Sequence, residues 1–555
     1  MITFQGIQAL CERIGITIVT VRYLKFSQII WRIWYLARKP KIPSKQPIER
    51  RAFQGTPYFL KKNECFQAPH TFTFLNKQAI VIKSSDWNNK DFSDLWLYNL
   101  HYFDFLNQTH PAPLDLAEKW IDENPPLTSR GWEPYPTSLR IVNWIKWMIS
   151  NNEYPTLLMQ SLTEQVDHLS THIEYHILGN HLFVNSKALI FAGLFFNSNQ
   201  AEQWLKKGLT ILKAQLKEQI LDDGGHFELS PMYHAIILED ILDLLSLLRV
   251  YRHASKLTDD HIPTLEQSIP PMLSWLSTMS HPDGEIAFFN DCAIGIAQPP
   301  AALQEYAEHL GIQFHTGKID TTHLKHSGYI RACKSAATLI VDVAEIGPSY
   351  QPGHAHADTL SFELSLGSER IFVNSGTSEY GISSRRHLQR STRSHNTVTV
   401  NDENSSQVWS GFRVAKRAKP SRTVLLEKNE TRISCSHNGY SYYAKGCIHL
   451  REWSLHDRKL LVSDAIERAF GNCTAYFHLH PHLEVSMAST NEFHITSKTH
   501  KIIFTSNVPG KLVDGHYYPE FGKSIPNQTI VLITNLSKIE TEITWLTNHR
   551  DSHNK

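Results

Sequence analysis

The stretch Pro352-Gly353-His354-Ala355-His356-Ala357-Asp358 sets two imidazoles and a carboxylate at alternate positions. On an extended strand, residues two apart share a face, so a strand that begins early turns His354, His356 and Asp358 to one side. Such a trio could bind a metal ion, or divide its work between metal binding and proton transfer. The plain alternative is a polar strand edge in solvent. A second group is Gly179-Asn180-His181, at the start of a helical pattern. Asn180 suits a helix cap, and the same helix start also suits an anion such as a substrate carboxylate. A third group runs from Asp222 to His234 and reads as another helix start, with Ser230 at the cap and Pro231 at the first helical position. Tyr233 and His234 then fall in the first turn. A tyrosine there is either a packed aromatic or a proton donor, its phenol lowered from about 10 by nearby cations. Asp222, Asp223 and Glu228 also offer the paired carboxyls that a glycosidase needs. Further on, Asn374 ends a strand before Ser375-Gly376-Thr377, and Arg385, Arg386, Arg390 and Arg393 precede Ser394-His395-Asn396-Thr397. Clustered guanidinium groups suit carboxylates or sulfates, a solvated basic loop being the alternative. His478, His480 and His482 alternate around Pro481 and read as structural.

The elements that position these groups come in two kinds. From about Leu114 to Leu310, apolar residues recur at three and four, as in Leu139 to Met148, His181 to Phe196, Ala201 to Ile220 and Ile236 to Val250. Consecutive amphipathic helices of this kind form a ring or bundle of hairpins. The helical pattern fades near His315 to His326, and from Gly328 the period is mostly two. Strands are expected at Ala337 to Val343, Thr359 to Leu366, Ile371 to Val373, Thr397 to Val400, Thr423 to Leu426, Arg432 to Ser436, Lys459 to Ser463, Thr474 to His480, Lys501 to Thr505 and Thr529 to Thr534. Helices first and strands second predict a cleft between two parts as the place for a ligand. Before them, an apolar and basic helix around Leu24 to Tyr35 leads into a Pro/Lys/Arg-rich connector, Lys39 to Arg51. That helix either packs on the body or lies on a surface.

At 555 residues the chain exceeds one hydrophobic core, and length suggests two to four domains. Its 55 lysines and arginines nearly balance 54 aspartates and glutamates, so no nucleic-acid partner is indicated. Thirteen tryptophans and twenty tyrosines offer sugar platforms or core material. The seven cysteines are scattered without a CxxC pair, which is neither a disulfide framework nor a thiolate zinc site. No apolar run spans a membrane and no cleavable signal is evident.

Five segments in order resemble the heparinase II/III-like polysaccharide lyase superfamily, which includes heparin and heparan sulfate lyases and related alginate lyases. They are Trp132-Glu133-Pro134-Tyr135-Pro136-Thr137-Ser138-Leu139-Arg140, Gly179-Asn180-His181, Phe227-Glu228-Leu229-Ser230-Pro231-Met232-Tyr233-His234, His354-Ala355-His356-Ala357-Asp358 and Ser394-His395-Asn396-Thr397. The resemblance implies an N-terminal α/α toroid, an incomplete helical barrel, and a C-terminal antiparallel β-sandwich. The expected divisions are an N-terminal extension over 1–95, the toroid over 96–325 and the sandwich over 326–555. It implies β-elimination on an acidic, uronic-acid polysaccharide with no organic cofactor. Asn180 and His181 would hold the carboxyl group, Tyr233 would protonate the leaving O4, and Tyr233 or His354 would take the C5 proton. Arg140, Trp132, Glu228, His234, Arg390 and Arg393 are the expected substrate contacts. A structural zinc would map to His356, Asn374 and His395, where Asn374 stands in place of an aspartate and weakens the set, so that a hydrogen-bond network is the favoured expectation and Asp358 a substitute ligand. The family's usual location implies the periplasm or cell envelope, whereas the missing signal leaves the cytoplasm open. The competing readings are a non-catalytic polysaccharide-binding or biosynthesis-associated protein on this fold, and a glycoside hydrolase on an α/α toroid using Glu228 with Asp222 or Asp223.

Overall fold

The computed structural model describes residues 4–38, 41–252, 256–314 and 321–547. Lys39 and Pro40 of the expected connector, and 315–320 where the helical pattern fades, lie outside the described residues. Two helices, Phe4–Val21 and Phe26–Ala37, form an N-terminal hairpin, followed by a small antiparallel sheet of Phe66–Gln67, Thr71–Phe74 and Lys77–Ile80. The helical part then includes Asp94–Tyr102, Pro134–Asn151, Thr156–Thr171, Gly179–Phe195, Asn199–Gln219, Pro231–Val250 and His261–Thr278.

The Gly179–Phe195 helix is the hub, packed on the Pro134, Asn199 and Pro231 helices. Its apolar residues run all round, as a helix buried on every side requires. Close approach to the Asn199 helix depends on glycine. A Cβ at Gly193 would come within 2.6 Å of the Leu205 backbone nitrogen, and one at Gly208 within 2.9 Å of the Ser186 carbonyl oxygen. Seven of the thirteen tryptophans, Trp87, Trp96, Trp120, Trp144, Trp204, Trp275 and Trp453, are fully buried, so most of the aromatic excess is core material rather than sugar platform.

The C-terminal part holds five-, four- and eight-stranded sheets, all paired antiparallel. The five-stranded sheet is a meander from Thr322–Leu324 to Glu369–Phe372. A bridge from Phe372 to Leu479 links its edge to the four-stranded sheet. Alternate residues of all three sheets, among them Leu364, Phe477, Trp453 and Ile543, share one core. Every expected strand is present within a few residues. Ile448–His456, Gly510–Tyr517 and Lys538–Thr547, together with Thr322–Leu324, Tyr329–Lys334, Glu484–Ser489 and Glu492–Thr496, which the sequence reading did not pick out, complete the sheets.

The His354 segment departs from expectation. It is a loop, and the strand begins only at Phe362. Its backbone bonds go to other loops: the His354 carbonyl accepts from Asp291 N at 2.9 Å, His356 N donates to Asn290 Oδ1 at 3.0 Å, and Ala357 N donates to the Arg390 carbonyl at 2.9 Å. With no neighbouring strand to pair with, the three side chains are aimed individually. Leu360, at φ 66°, turns the chain into the strand.

Candidate active site

Two helix starts, those of Gly179–Phe195 and Pro231–Val250, lie beside the His354 loop. Leu178 and Gly179, at φ 69° and 57°, turn the chain sharply into the Gly179 helix, so Asn180 sits inside the first turn and is not the cap. Asn180 Nδ2 donates to both oxygens of buried Glu228, at 3.1 and 3.3 Å, and its backbone N–H donates to the same carboxylate. Partly exposed His181 sets Nδ1 3.0 Å from Glu174 Oε1, with its ring 4.5 Å from Tyr135 at the start of the Pro134 helix. Glu174 is steadied through its other oxygen by Asn185, one helical turn further along. Burial alone would lower the His181 imidazole, but the Glu174 carboxylate outweighs it and raises its pKa above the ordinary histidine value.

Ser230 caps the Pro231 helix as read from the sequence, its Oγ accepting from Tyr233 N at 3.2 Å. Tyr233 is buried, its hydroxyl 2.9 Å from that of Tyr380 and its ring stacked on His354 at 3.9 Å. Burial, then the neighbouring Tyr380, pushes the Tyr233 phenol well above its usual value rather than below it. Tyr233 is therefore a proton-holding group at neutral pH, suited to act as an acid.

Asp291, which sequence reading missed, is the junction of the site. One oxygen takes His354 Nδ1 at 2.8 Å, the other takes His356 Nε2 at 2.8 Å, and the Arg386 guanidinium forks onto both. Burial alone would raise its carboxyl, but Arg386 and the two imidazoles hold it well below the usual range. An ionised carboxylate only accepts, so His354 turns an Nδ1–H toward Asp291 and leaves Nε2 as its outward nitrogen. That nitrogen lies 3.6 Å from Glu228 Oε2. His354 is thus oriented through Nδ1 and stacked on the Tyr233 ring.

Two buried histidines, His356 and His395, lie behind this pair. His356 Nδ1 and His395 Nε2 are 3.1 Å apart. Their outer nitrogens must both donate, one to Asp291 and the other to the Ser391 carbonyl at 2.8 Å. Two lone pairs thus face each other, and burial, which lowers both rings to about 4, disfavours an added proton. Asp358 brings a carboxylate oxygen into the same group, all three ligand atoms lying within 4.8 Å of one another. Neutral imidazoles plus one carboxylate suit zinc. Asn374 is not in this set: its Nδ2 donates to the Phe288 carbonyl at 2.8 Å and its Oδ1 accepts from Asn396 N at 3.2 Å. Asn374, the expected middle position, thus fastens loops, and the carboxylate beside the two histidines is that of Asp358.

Most of the expected substrate contacts are packing residues. Arg140 is fully buried, donating to the carbonyls of His101 and Gly131 and to Gln165. Trp132 stacks on Trp120 with its Nε1 on the Asn124 carbonyl, and His234 stacks on Trp275 with its Nε2 on the Met272 carbonyl. Arg390 is buried and donates to the Ala355 carbonyl, so it shapes the His354 loop rather than binding sugar. Glu228 is 1% exposed and acts on Asn180 and His354 from behind. Arg393 is exposed. Asp223 accepts from the backbone of His326 and Ser327, and Asp222 is exposed, so the three carboxyls once grouped as a glycosidase set serve different ends.

Two family models match in succession, Heparinase II/III N-terminus over residues 85–310 and Heparinase II/III-like, C-terminal over 316–546. The chain belongs to the heparinase II/III-like family. Relatives in this family include a heparin-sulfate lyase of Bacteroides stercoris, 26% identical over 322 residues, which are 53% of this chain and 47% of the relative. Another is a heparin-sulfate lyase of Pedobacter heparinus, 24% identical over 373 residues, 62% of this chain and 53% of the relative. The chain thus spans about half the length of the curated relatives it matches. Among solved structures, heparinase III superposes with a TM-score of 0.67 at 20% identity, covering 83% of this chain and 79% of that one. Heparan sulfate lyase HepC from Pedobacter heparinus superposes at 0.58 with 19% identity, covering 94% and 88%. The heparinase II/III-like architecture is a helical toroid followed by an antiparallel sandwich, in agreement with the helices and sheets described above.

Proposed function

We propose that this protein is a polysaccharide lyase that cleaves an acidic, uronic-acid-containing polysaccharide by β-elimination. The observation that carries the reading is His354, held through Nδ1 by the Asp291–Arg386 pair and stacked on Tyr233, with His181 at an adjoining helix start. His181, kept protonated by Glu174, meets the uronate carboxylate beside Asn180, reducing its charge so that the C5 proton becomes acidic. His354 Nε2 takes that proton, the C5–H electrons form the C4–C5 double bond, and the C4–O4 bond breaks with Tyr233 supplying a proton to O4. No water is consumed. The two products together therefore have the mass of the uncut chain, and mass spectrometry that finds the mass of one added water per cut would instead establish hydrolysis.

The His181–Glu174 pair fixes a pH dependence. A raised pKa means that His181 stays cationic above the ordinary histidine range and loses its charge as pH rises through the raised value. KM for the polymer is expected to rise over that interval while kcat changes less, and Glu174→Gln should move the rise to lower pH. Initial rates across pH check this; an unmoved KM profile in the variant would remove His181 from carboxylate binding.

We also propose that His356, His395 and Asp358 hold a structural zinc ion, which would tie the His354 loop to the segment around His395. Elemental analysis after dialysis against zinc is expected to give about one ion per chain. Asp358→Asn and His395→Ala should each weaken retention by about tenfold or more, the range seen for residues supporting such sites. Asn374→Ala should leave zinc content unchanged and lower the thermal midpoint only.

A further inference from the structure

The N-terminal hairpin is the part of the molecule that the chemistry above does not use. One side of it is firmly seated. Trp31 stacks on Tyr175 at 4.8 Å, Trp409 Nε1 donates to Thr20 at 3.1 Å, and the Arg417 guanidinium covers the Tyr23 ring at 3.7 Å. Lys25 pairs with Glu218, which also accepts from Tyr350 at 2.7 Å. The hairpin therefore touches both the helical and the sheet parts, and its position relative to the body is fixed.

The other side is aliphatic and exposed. Ile14 and Ile18 are 51% and 61% exposed, Phe26 75%, Ile30 48%, Ile33 62% and Leu36 83%. Ile14 with Ile18, and Phe26, Ile30 with Ile33, recur at helical spacing, so each helix carries a stripe of this kind. Scattered exposed apolar residues are ordinary, but consecutive stripes on one hairpin mark an interaction surface. Charge selects the occupant. Residues 1–41 contain seven lysines and arginines against the single carboxylate Glu12, while the whole chain nets only +1. A second copy of the chain would set these cations against each other; a surface of phosphates would neutralise them. Among the described residues no helix is long and apolar enough to cross a membrane, so the hairpin can lie on one only in its plane.

A second observation points the same way. Beneath the Phe26–Ala37 helix lies a cavity of about 420 Å³ lined by Trp31, Trp34, Tyr35 and Tyr175 together with the cations Arg38, Lys41 and Lys207. Trp34, 39% exposed, belongs to both the cavity and the exposed side. Aromatic rings beside several cations at the edge of an aliphatic surface match the boundary between acyl chains and phosphate head groups.

We propose that the N-terminal hairpin lays this protein on an anionic phospholipid surface, its aliphatic stripes in the acyl boundary and its cations on lipid phosphates. The active-site residues are then held at a fixed distance from a membrane, and the polymer reached would be one displayed there. The hairpin's role does not rest on the lyase reading.

Sedimentation of the full chain with vesicles of phosphatidylcholine alone, or of phosphatidylcholine with two-fifths phosphatidylglycerol, tests this. At least tenfold stronger partition onto the anionic vesicles is expected, falling as salt is raised. Ile30→Glu with Ile33→Glu, and separately Arg32→Glu with Lys41→Glu, should each reduce it about tenfold or more. If the isoleucine pair lowers the thermal midpoint, the arginine–lysine pair, on exposed positions, decides. Equal partition onto both vesicles, absence from both, or a concentration-dependent dimer that the isoleucine pair abolishes would overturn the proposal.

Discussion

Tyr233→Phe is expected to lower kcat by about 10²–10⁴-fold, the range for losing a general acid, while leaving KM and the thermal midpoint nearly unchanged. The phenylalanine ring keeps the stack on His354, so the variant removes one hydroxyl and little packing. That hydroxyl touches Tyr380, and Tyr380→Phe serves as the comparison. If Tyr380 only steadies the Tyr233 hydroxyl, its loss costs much less than the loss of Tyr233. Equal losses in the two variants would mean that the pair acts as a unit. An active Tyr233→Phe enzyme would move the acid elsewhere. On the proposed division of base and acid between two side chains, His354→Ala is expected to match Tyr233→Phe in kcat.

Asp291→Asn carries the largest expected stability loss. Its carboxylate is the one anion against buried Arg386 among the described ion pairs, and it fixes both His354 and His356. Breaking such a buried pair from one side leaves a guanidinium without compensation, which costs about 3–5 kcal/mol. Urea unfolding should show this as a lower midpoint with an unchanged slope. The double variant Asp291→Asn with Arg386→Met should recover part of the stability and none of the activity, because His354 still lacks its orienting acceptor. A single-variant loss below about 1 kcal/mol would show that the pair is well hydrated and not a structural centre.

What the sequence made legible was local. Ser230 and Pro231 announce a helix start and hence the place of Tyr233; Gly179 announces the turn that precedes Asn180 and His181. The change from helical to alternating periodicity gives the two-part fold, because each part buries one face of its elements. The groups that orient these residues were not legible. Asp291 is 63 positions from His354 and 95 from Arg386, and Glu174 lies in the short link between the Thr156–Thr171 and Gly179–Phe195 helices. Pairing across such separations is set by the packed fold and leaves no local pattern. The arginine cluster shows the same limit from the other side. A basic run near a cleft suggested substrate binding, yet Arg386 meets an internal carboxylate and Arg390 an internal carbonyl. Arg140 and Trp132 sit in a segment shared with the family and serve the helical core. Alternation in His354-Ala355-His356-Ala357-Asp358 misled for a related reason: an alternating sequence forms a strand only where a neighbour accepts its backbone bonds, and here loops take them.

The most direct test of the central claim is ultraviolet absorbance while the protein acts on a panel of uronic-acid polysaccharides, including heparan sulfate, chondroitin, hyaluronan and alginate. A lyase produces a double bond conjugated with the uronate carboxyl, so absorbance should rise with at least one polymer and stay flat with Tyr233→Phe. New reducing ends without that absorbance would contradict elimination and make the protein a hydrolase. Neither signal on any polymer of the panel, from protein loaded with zinc, would contradict the lyase reading and favour a binding protein on the lyase fold.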